Sequence, residues 1–418
     1  MRDYFLRRFL LILPTLLGAT LVVFGITRIV PGGPMEKAMQ TALASERGGG
    51  PKNAGASMTD EQKEEMAAYY GFDKPFLPAY AAWLGIWPRE ESKQWIKFEA
   101  GKDEMPVTLK MLLPREQWTA TNAYKISQAS VKRDGTLTGP DADVIAHYKT
   151  RHEPEKQRVA VFHPTFSGLL QGNFGLSTNY NMDVLEMMIS KMPVSLFYGL
   201  LTFFIAYIVC IPLGILKAIK HRTVIDNVTS ILIFIGYSIP GFLLGSLVVV
   251  YLAARMGWFP TEGFTSENFS TLTFGGKIWD VIHHAILPLA CYMVTSFAFL
   301  TMLMKNNLMD NLAADYVRTA IAKGSSYKHA VLGHALRNSL IPIVTTLGSI
   351  TTVFVAGSLL IERIFNIDGF GLLTIQSITD RDYPLVMGIL TLDVILIMLG
   401  NILSDYLVAL TDPRVRFH

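Results

Sequence analysis

Residues 315–338 read DYVRTAIAKGSSYKHAVLGHALRN, a basic, largely helix-competent stretch with Gly324 near its middle and a long apolar run on either side. Lys and Arg resist translocation, so a short basic segment between apolar runs marks a loop on the cytoplasmic face of a membrane protein. Ala320, Ala322 and Gly324 are small enough to let a helix approach another surface closely. Gly324 frees the backbone to turn, and Ser325 or Ser326 then stands where it can cap a second short helix over 327–332. The stretch predicts a two-armed helical loop suited to docking a partner. Lys323, Lys328 and Arg337 would orient that encounter more than strengthen it.

The composition agrees with a membrane protein. Half the residues are hydrophobic and 17% are charged, against about a quarter charged in average chains. A hydrocarbon core of about 30 Å needs roughly 20 mostly apolar residues as helix. Six runs qualify, at 9–29, 194–216, 228–252, 281–304, 340–361 and 385–409. Backbone polar groups cannot stay unpaired in lipid, so continuous runs of this length predict helices and not barrel strands. The expected fold is all-α and polytopic, with six transmembrane helices.

Basic flanks orient the spans. Arg2, Arg7 and Arg8 precede the first, Lys217, Lys220 and Arg222 separate the second and third, and Lys305, Arg318, Lys323, Lys328 and Arg337 lie between the fourth and fifth. Arg414 and Arg416 follow the sixth. All four sets fall on one side, which places both termini in the cytoplasm. PGGP at 31–34 follows the first run without a small-x-small pattern, so that run reads as an uncleaved span. Cys210 and Cys291 both lie within spans, which leaves the outward segments without a disulfide framework.

The domain pattern is uneven. Residues 1–30 form an N-terminal segment and first span, 31–190 a long external segment, 191–411 a five-helix core and 412–418 a tail. Within the external segment, ASERGGGPKNAGAS at 44–57 reads as a flexible loop. Thr59 or Asp60 can cap a helix toward Tyr70, and a second helix over 77–84 sets Tyr80, Trp83 and Leu84 at spacings of three and four. Such aromatics suit a membrane interface or packing on neighbouring spans. Residues 87–163 carry Trp87, Trp95, Phe98, Trp118, Tyr124 and Tyr148, too many aromatics for disorder. They predict a small mixed subdomain, with strands at 107–113 and 158–163.

Catalytic motifs are few. No G-x-x-x-x-G-K-[ST] loop is present, so this chain offers no phosphate cradle. His283 and His284 are adjacent and point about 100° apart on a helix, which favours an interfacial role over metal ligation. Ser246 with one of them could form an intramembrane protease dyad, although serine in membrane helices commonly serves packing. Asp393 lies inside the sixth span, where a carboxylate costs about 2.5–3.5 kcal/mol and should face the bundle interior. A role in receiving a cationic group, a satisfied interhelical hydrogen bond and a place nearer the membrane edge all suit it.

RTAIAKG at 318–324, HALRN at 334–338 and IP at 341–342 resemble the EAA loop of binding-protein-dependent ABC importer permeases, in the dipeptide/oligopeptide form. In the same order follow resemblances at GYSIPGF (236–242), GWFP (257–260), ERIF (362–365), GFG (369–371), RDYP (381–384) and DPRV (412–415). FLTMLMKN at 299–306, RIVPGGP at 28–34 and YGFDKP at 70–75 are similar to the Yej-type oligopeptide branch. Arg318 and Arg337 stand where the loop's usual acid and proline would be, as in peptide-permease relatives, and Asp368 replaces the proline of a P-G-x-G turn. The resemblance covers 1–86 and 164–418. Residues 87–163 interrupt the junction between the helix ending near Gly85 and the GNFGLS turn at 172–177.

The resemblance implies a type I ABC importer permease in the bacterial inner membrane, with residues 87–163 as a periplasmic insertion. It implies a second homologous permease, two ATP-binding domains, separate or fused, and a periplasmic peptide-binding protein. ATP and magnesium would sit on the partner ATPase, and no cofactor or nucleic acid on this chain. The coupling residues would be Arg318, Ala320, Ala322, Lys323, Gly324, Ser326, Tyr327, Lys328, His334, Leu336, Arg337 and Asn338. An ion-coupled secondary transporter is the main alternative; it would place intramembrane acids at a repeat interface, where only Asp393 fits.

Overall fold

The computed structural model describes residues 2–29, 64, 67, 72–98, 101–112, 124–153, 157–180, 182–348, 350 and 358–411. The loop expected at 44–57, nearly all of the helix expected before Tyr70, Trp118 and the DPRV motif lie outside them. The chain divides into two compact units, Phe24–Thr178 and Met1–Val23 with Asn179–His418. These boundaries differ from the span-based ones because packing, and not hydropathy, defines them. Helix α1, Arg2–Ile29, runs through the first boundary.

In the first unit, Phe24 at the end of α1 packs on Phe76 and Tyr80 of α2, Phe76–Leu84, with ring centroids 5.6 and 5.5 Å apart. The aromatics of α2 thus pack on the neighbouring span. Next come β1 (Arg89–Lys97), β2 (Glu104–Leu112), β3 (Tyr124–Lys132), β4 (Leu137–Thr138), the short α3 (Ala142–Ile145), β5 (Lys149–Glu153) and β6 (Arg158–Thr165). The sheets run β1-β6-β5 and β2-β3-β4, all antiparallel. Strand side chains alternate between faces, and Val107, Leu109, Ala129, Val131, Val159 and Val161 meet at these spacings, with Val144 and Tyr148, in one core. Both expected strands form. The subdomain is richer in sheet than the sequence suggests, because β1, REESKQWIK, carries little strand signal and is held by its partner β6.

The insertion leaves and returns at one point. Arg89 pairs with Thr165, so β1 and β6 form a closed stem. Beneath it Gln171 Nε2 donates to Gly85 O at 3.3 Å and Gln171 Oε1 accepts from Gly168 N at 3.0 Å. A Cβ on Gly168 would lie 2.3 Å from Gly85 N, so only glycine permits this pinch. Residues 87–163 therefore hang from an otherwise continuous helix-to-turn junction.

The second unit is helical. After α1 it holds α4 (Val184–Ile219), α5 (Val224–Ser238), α6 (Gly241–Val248, continued by a π-helical turn Val249–Arg255), α7 (Phe274–Ala313) and α8 (Asp315–Ala322). A run made of Tyr327–His329, Ala330–Ala335 and Leu336–Ser339 is termed α9, followed by α10 (Ile341–Thr346), α11 (Leu359–Ile364), α12 (Phe370–Thr379) and α13 (Tyr383–Thr411). Among the described residues three helices are long and apolar enough to cross a membrane, or five if each of two bent pairs counts as one span. Part of the expected fifth span, 340–361, lies outside the described residues.

The third expected span is not a continuous helix. It breaks by 88° between α5 and α6. Pro240 lacks an N–H and disfavours helical geometry at Ile239, which adopts φ −97° and ψ 117°. A Cβ on Gly241 would lie 2.7 Å from Cys291 O, so α6 turns off tight against α7. Elsewhere α4 packs closely on α7: Gly214 leaves room for Met304, whose Cβ would be 2.6 Å from a Cβ placed there. Leu10, Leu13, Ile208, Leu232 and Ile235 stay exposed on helix surfaces, as lipid contact requires.

Candidate functional site

The 315–338 segment has one face anchored and one face exposed. Val317 from α8 and Ala330 and Ala335 from α9 are buried in a core with Leu300, Met304 and Leu308 of α7 and Ala206 and Cys210 of α4. Ser339 Oγ donates to Asn307 O of α7 at 3.2 Å and to Ala335 O at 2.8 Å. On the opposite face Arg318, Ala322, Lys323, Gly324, Ser326, Tyr327, Lys328, His334 and Arg337 are exposed, joined by Ile321 and Leu332. Ala320, Leu336 and Asn338 are half-buried and sit nearer the anchor.

Local chemistry explains the turn. Gly324 takes φ +92°, the left-handed region in which side chains are strained. Ser326 caps the second arm by accepting from His329 N at 3.3 Å. That arm is longer than expected: it does not stop at Leu332 but continues through a π-helical stretch to Ser339. The buried faces of Ala330, Val331 and Ala335 hold it to the bundle, where propensity alone would end it. Arg318 pairs weakly with Asp315 at 4.0 Å, and both are exposed. His334 meets His329 edge-on at 5.7 Å.

The motif residues at the other end of the helices form joints. Glu362 is fully buried and accepts from Ser195 Oγ at 2.9 Å, Leu372 N at 2.9 Å and Tyr292 OH at 3.3 Å. Ser195 Oγ in turn accepts from Phe370 N at 2.7 Å. ERIF, GFG and two spans thus meet at one carboxylate, which also faces the start of α12, where unpaired N–H groups favour negative charge. Gly369 is required there: its Cβ would lie 2.6 Å from both Glu362 Oε2 and Ser195 Oγ. Asp368 pairs with Lys191, and Asp382 of RDYP accepts from Leu385 N at the start of α13.

Asp393 is half-buried in α13, and its carboxyl makes no hydrogen bond or ion pair among the described residues. Ile397, Asn401 and Ser404 continue its face at steps of four, four and three residues, and with Phe299, Thr345 and Gly348 they line a recess of ≈ 340 Å³. The histidines and Ser246 have local duties: His283 Nε2 lies 2.8 Å from Trp258 O, His284 Nδ1 2.8 Å from Asp280 O, and Ser246 donates to Phe242 O. Asp226, which no motif marks, is buried between Lys217 and Lys305. Its position at the head of a span, beside short basic loops, is the signal that could have drawn attention to it.

Helices of this length and polarity, with a basic segment anchored between two of them, define a polytopic helical membrane protein. Residues 210–417 match the family model described as binding-protein-dependent transport system inner membrane component. The peptidoglycan transport system permease protein YejB of Agrobacterium fabrum is 36% identical over 282 residues, covering 67% of this chain and 78% of that protein. The oligopeptide transport system permease protein AppB of Bacillus subtilis is 35% identical over 250 residues, or 60% of this chain and 78% of that protein. This chain belongs to the family of binding-protein-dependent transport system inner membrane components, which are multi-pass permeases of ABC transporters. The inner membrane ABC transporter permease protein YejB of Escherichia coli O157:H7 is 32% identical over 420 residues, 100% of this chain and 99% of that protein. That alignment runs through 87–163, so the likeness extends across the insertion as well.

Proposed function

We propose that this chain is the membrane-spanning permease subunit of an ATP-driven importer of peptides or peptide-like compounds. It pairs with a second, homologous permease to form the pathway, with two ATP-binding domains in the cytoplasm and a peptide-binding protein in the periplasm. ATP and Mg²⁺ bind on the ATPases. Both termini and the 315–338 segment face the cytoplasm, and residues 31–190 face the periplasm. Residues 191–411 form the permease core and 412–418 its tail.

The observation that carries this reading is the two-faced docking segment. Its inner face is built into the core of α4 and α7, so force on the outer face is delivered to the spans. The exposed Tyr327 and Leu332 supply apolar contact, and Lys328, His334 and Arg337 supply charge for an acidic rim. Asp393 belongs to the substrate pathway, where it receives a cationic end of the cargo; its lack of a partner among the described residues supports that role. The test is reconstitution with the partner subunits. Peptide uptake should require ATP and persist when ion gradients are collapsed. Uptake driven by an ion gradient without ATP would instead make the chain a secondary transporter.

A further inference from the structure

At the basic end of the helical unit three ionised groups are buried together. Lys217 of α4 is 0% exposed, Asp226 in the first turn of α5 is 3% exposed and Lys305 of α7 is 7% exposed. The two lysines do different things. Lys217 Nζ donates to Asp226 O at 3.0 Å, Thr229 Oγ1 at 2.9 Å and Ser230 Oγ at 2.7 Å, and lies 3.1 Å from Asp226 Oδ1. It knits together the hairpin formed by α4 and α5. Lys305 Nζ reaches in from α7 and donates to both oxygens of Asp226, at 2.7 and 2.9 Å. Asp226 Oδ2 also accepts from Arg222 N at 3.1 Å and lies 3.3 Å from His221 Nδ1.

Burying three charges is a poor way to gain stability, because apolar side chains of similar volume pack there without the desolvation penalty. A directional ion pair instead fixes registry between the elements that supply it. Here those elements are the two that matter for coupling. Two residues past Lys305, Asn307 O accepts from Ser339 of α9, and α7 itself ends at Ala313, where the docking segment begins. Asp226 heads α5, the helix that ends at the 88° break before α6.

We infer that the Asp226–Lys305 ion pair is the joint that passes movement of the docking segment to the broken third span. Both are positioning residues for transport, and the inference rests on the permease reading above. Lys305→Met is the suitable probe, because Asp226 keeps Lys217 and no buried carboxylate is stranded. Lys305→Arg keeps the charge. In proteoliposomes holding the permease with its partner permease, ATPases and receptor, Lys305→Met should retain ATP hydrolysis while peptide taken up per ATP falls about tenfold, within the usual span of coupling between sites. Lys305→Arg should restore most of it. A triple variant, Lys217→Met with Asp226→Leu and Lys305→Met, removes every charge of the trio and should assemble yet show the same uncoupling. Normal uptake per ATP in either variant overturns the inference, as do equal losses in Lys305→Met and Lys305→Arg, which would assign the effect to packing. If wild-type uptake does not need ATP, the permease reading fails and not the joint alone.

Discussion

Gly324 is where the docking segment can be perturbed with the least disturbance elsewhere. It holds φ +92°, and a Cβ built on it meets nothing within 4 Å, so the cost of a side chain comes from the backbone and not from crowding within the chain. An L-residue forced into the left-handed region pays roughly 1–2 kcal/mol. That corresponds to a factor of about 5–30 in the population of the native turn. Gly324→Ala should therefore leave insertion intact and lower ATP-dependent uptake severalfold, as the second arm leaves its docking angle in most molecules. Gly324→Trp adds bulk on the exposed face proposed to meet the ATPase and should uncouple hydrolysis from uptake almost completely. The assay compares membrane accumulation, ATP hydrolysis and peptide uptake in reconstituted complexes. Normal transport by the Trp variant refutes the reasoning, and so does a loss of uptake explained wholly by lost accumulation.

Other outcomes follow from the buried joints and the insertion. Glu362→Ala removes the acceptor for Ser195, Tyr292 and Leu372 N; each orphaned donor costs about 1–3 kcal/mol, so the melting temperature in detergent should fall clearly, and less for Glu362→Gln. Asp226→Asn strands two buried ammonium groups, and breaking a buried pair costs about 3–5 kcal/mol; immunoblots of membranes should show a greater loss for it than for Lys305→Met. In the insertion, burial pushes the Glu90 carboxyl up, but its hydrogen bond to Lys93 and the charges of Lys93, Lys74 and Arg151 outweigh that and hold it below the ordinary range. A depressed pKa contributes stability above the unfolded value of about 4.3 and loses it as pH falls through the folded one. Acid titration followed by tryptophan fluorescence should show this loss, and Glu90→Gln should flatten it.

Much of this architecture is legible in the letters, for a physical reason in each case. Lipid forbids unpaired backbone over long stretches, so the spans announce themselves, and the Gly-Ser-Ser turn is local chemistry that a glycine and a cap dictate. The break in the third span hides from hydropathy, because Ile239, Pro240 and Gly241 add little polarity while Pro240 removes a donor and Gly241 permits close approach to Cys291. Strand β1 is invisible for the opposite reason: its charged residues follow no apolar alternation, and β6 supplies its order. Lys217 and Lys305 read as flanking charges. Only the packing of α4, α5 and α7 shows that they converge on Asp226, since residues 79 positions apart have no local signature.

The most direct test of the central claim is site-specific photo-crosslinking from the exposed Tyr327 in the assembled transporter, with the exposed Trp279 at the far end of α7 as control. A probe at 327 should capture an ATPase subunit, in a yield that changes when ATP is bound, and a probe at 279 should capture none. Absence of an ATPase adduct from 327, or equal adducts from both positions, would contradict the assignment of 315–338 as the docking segment.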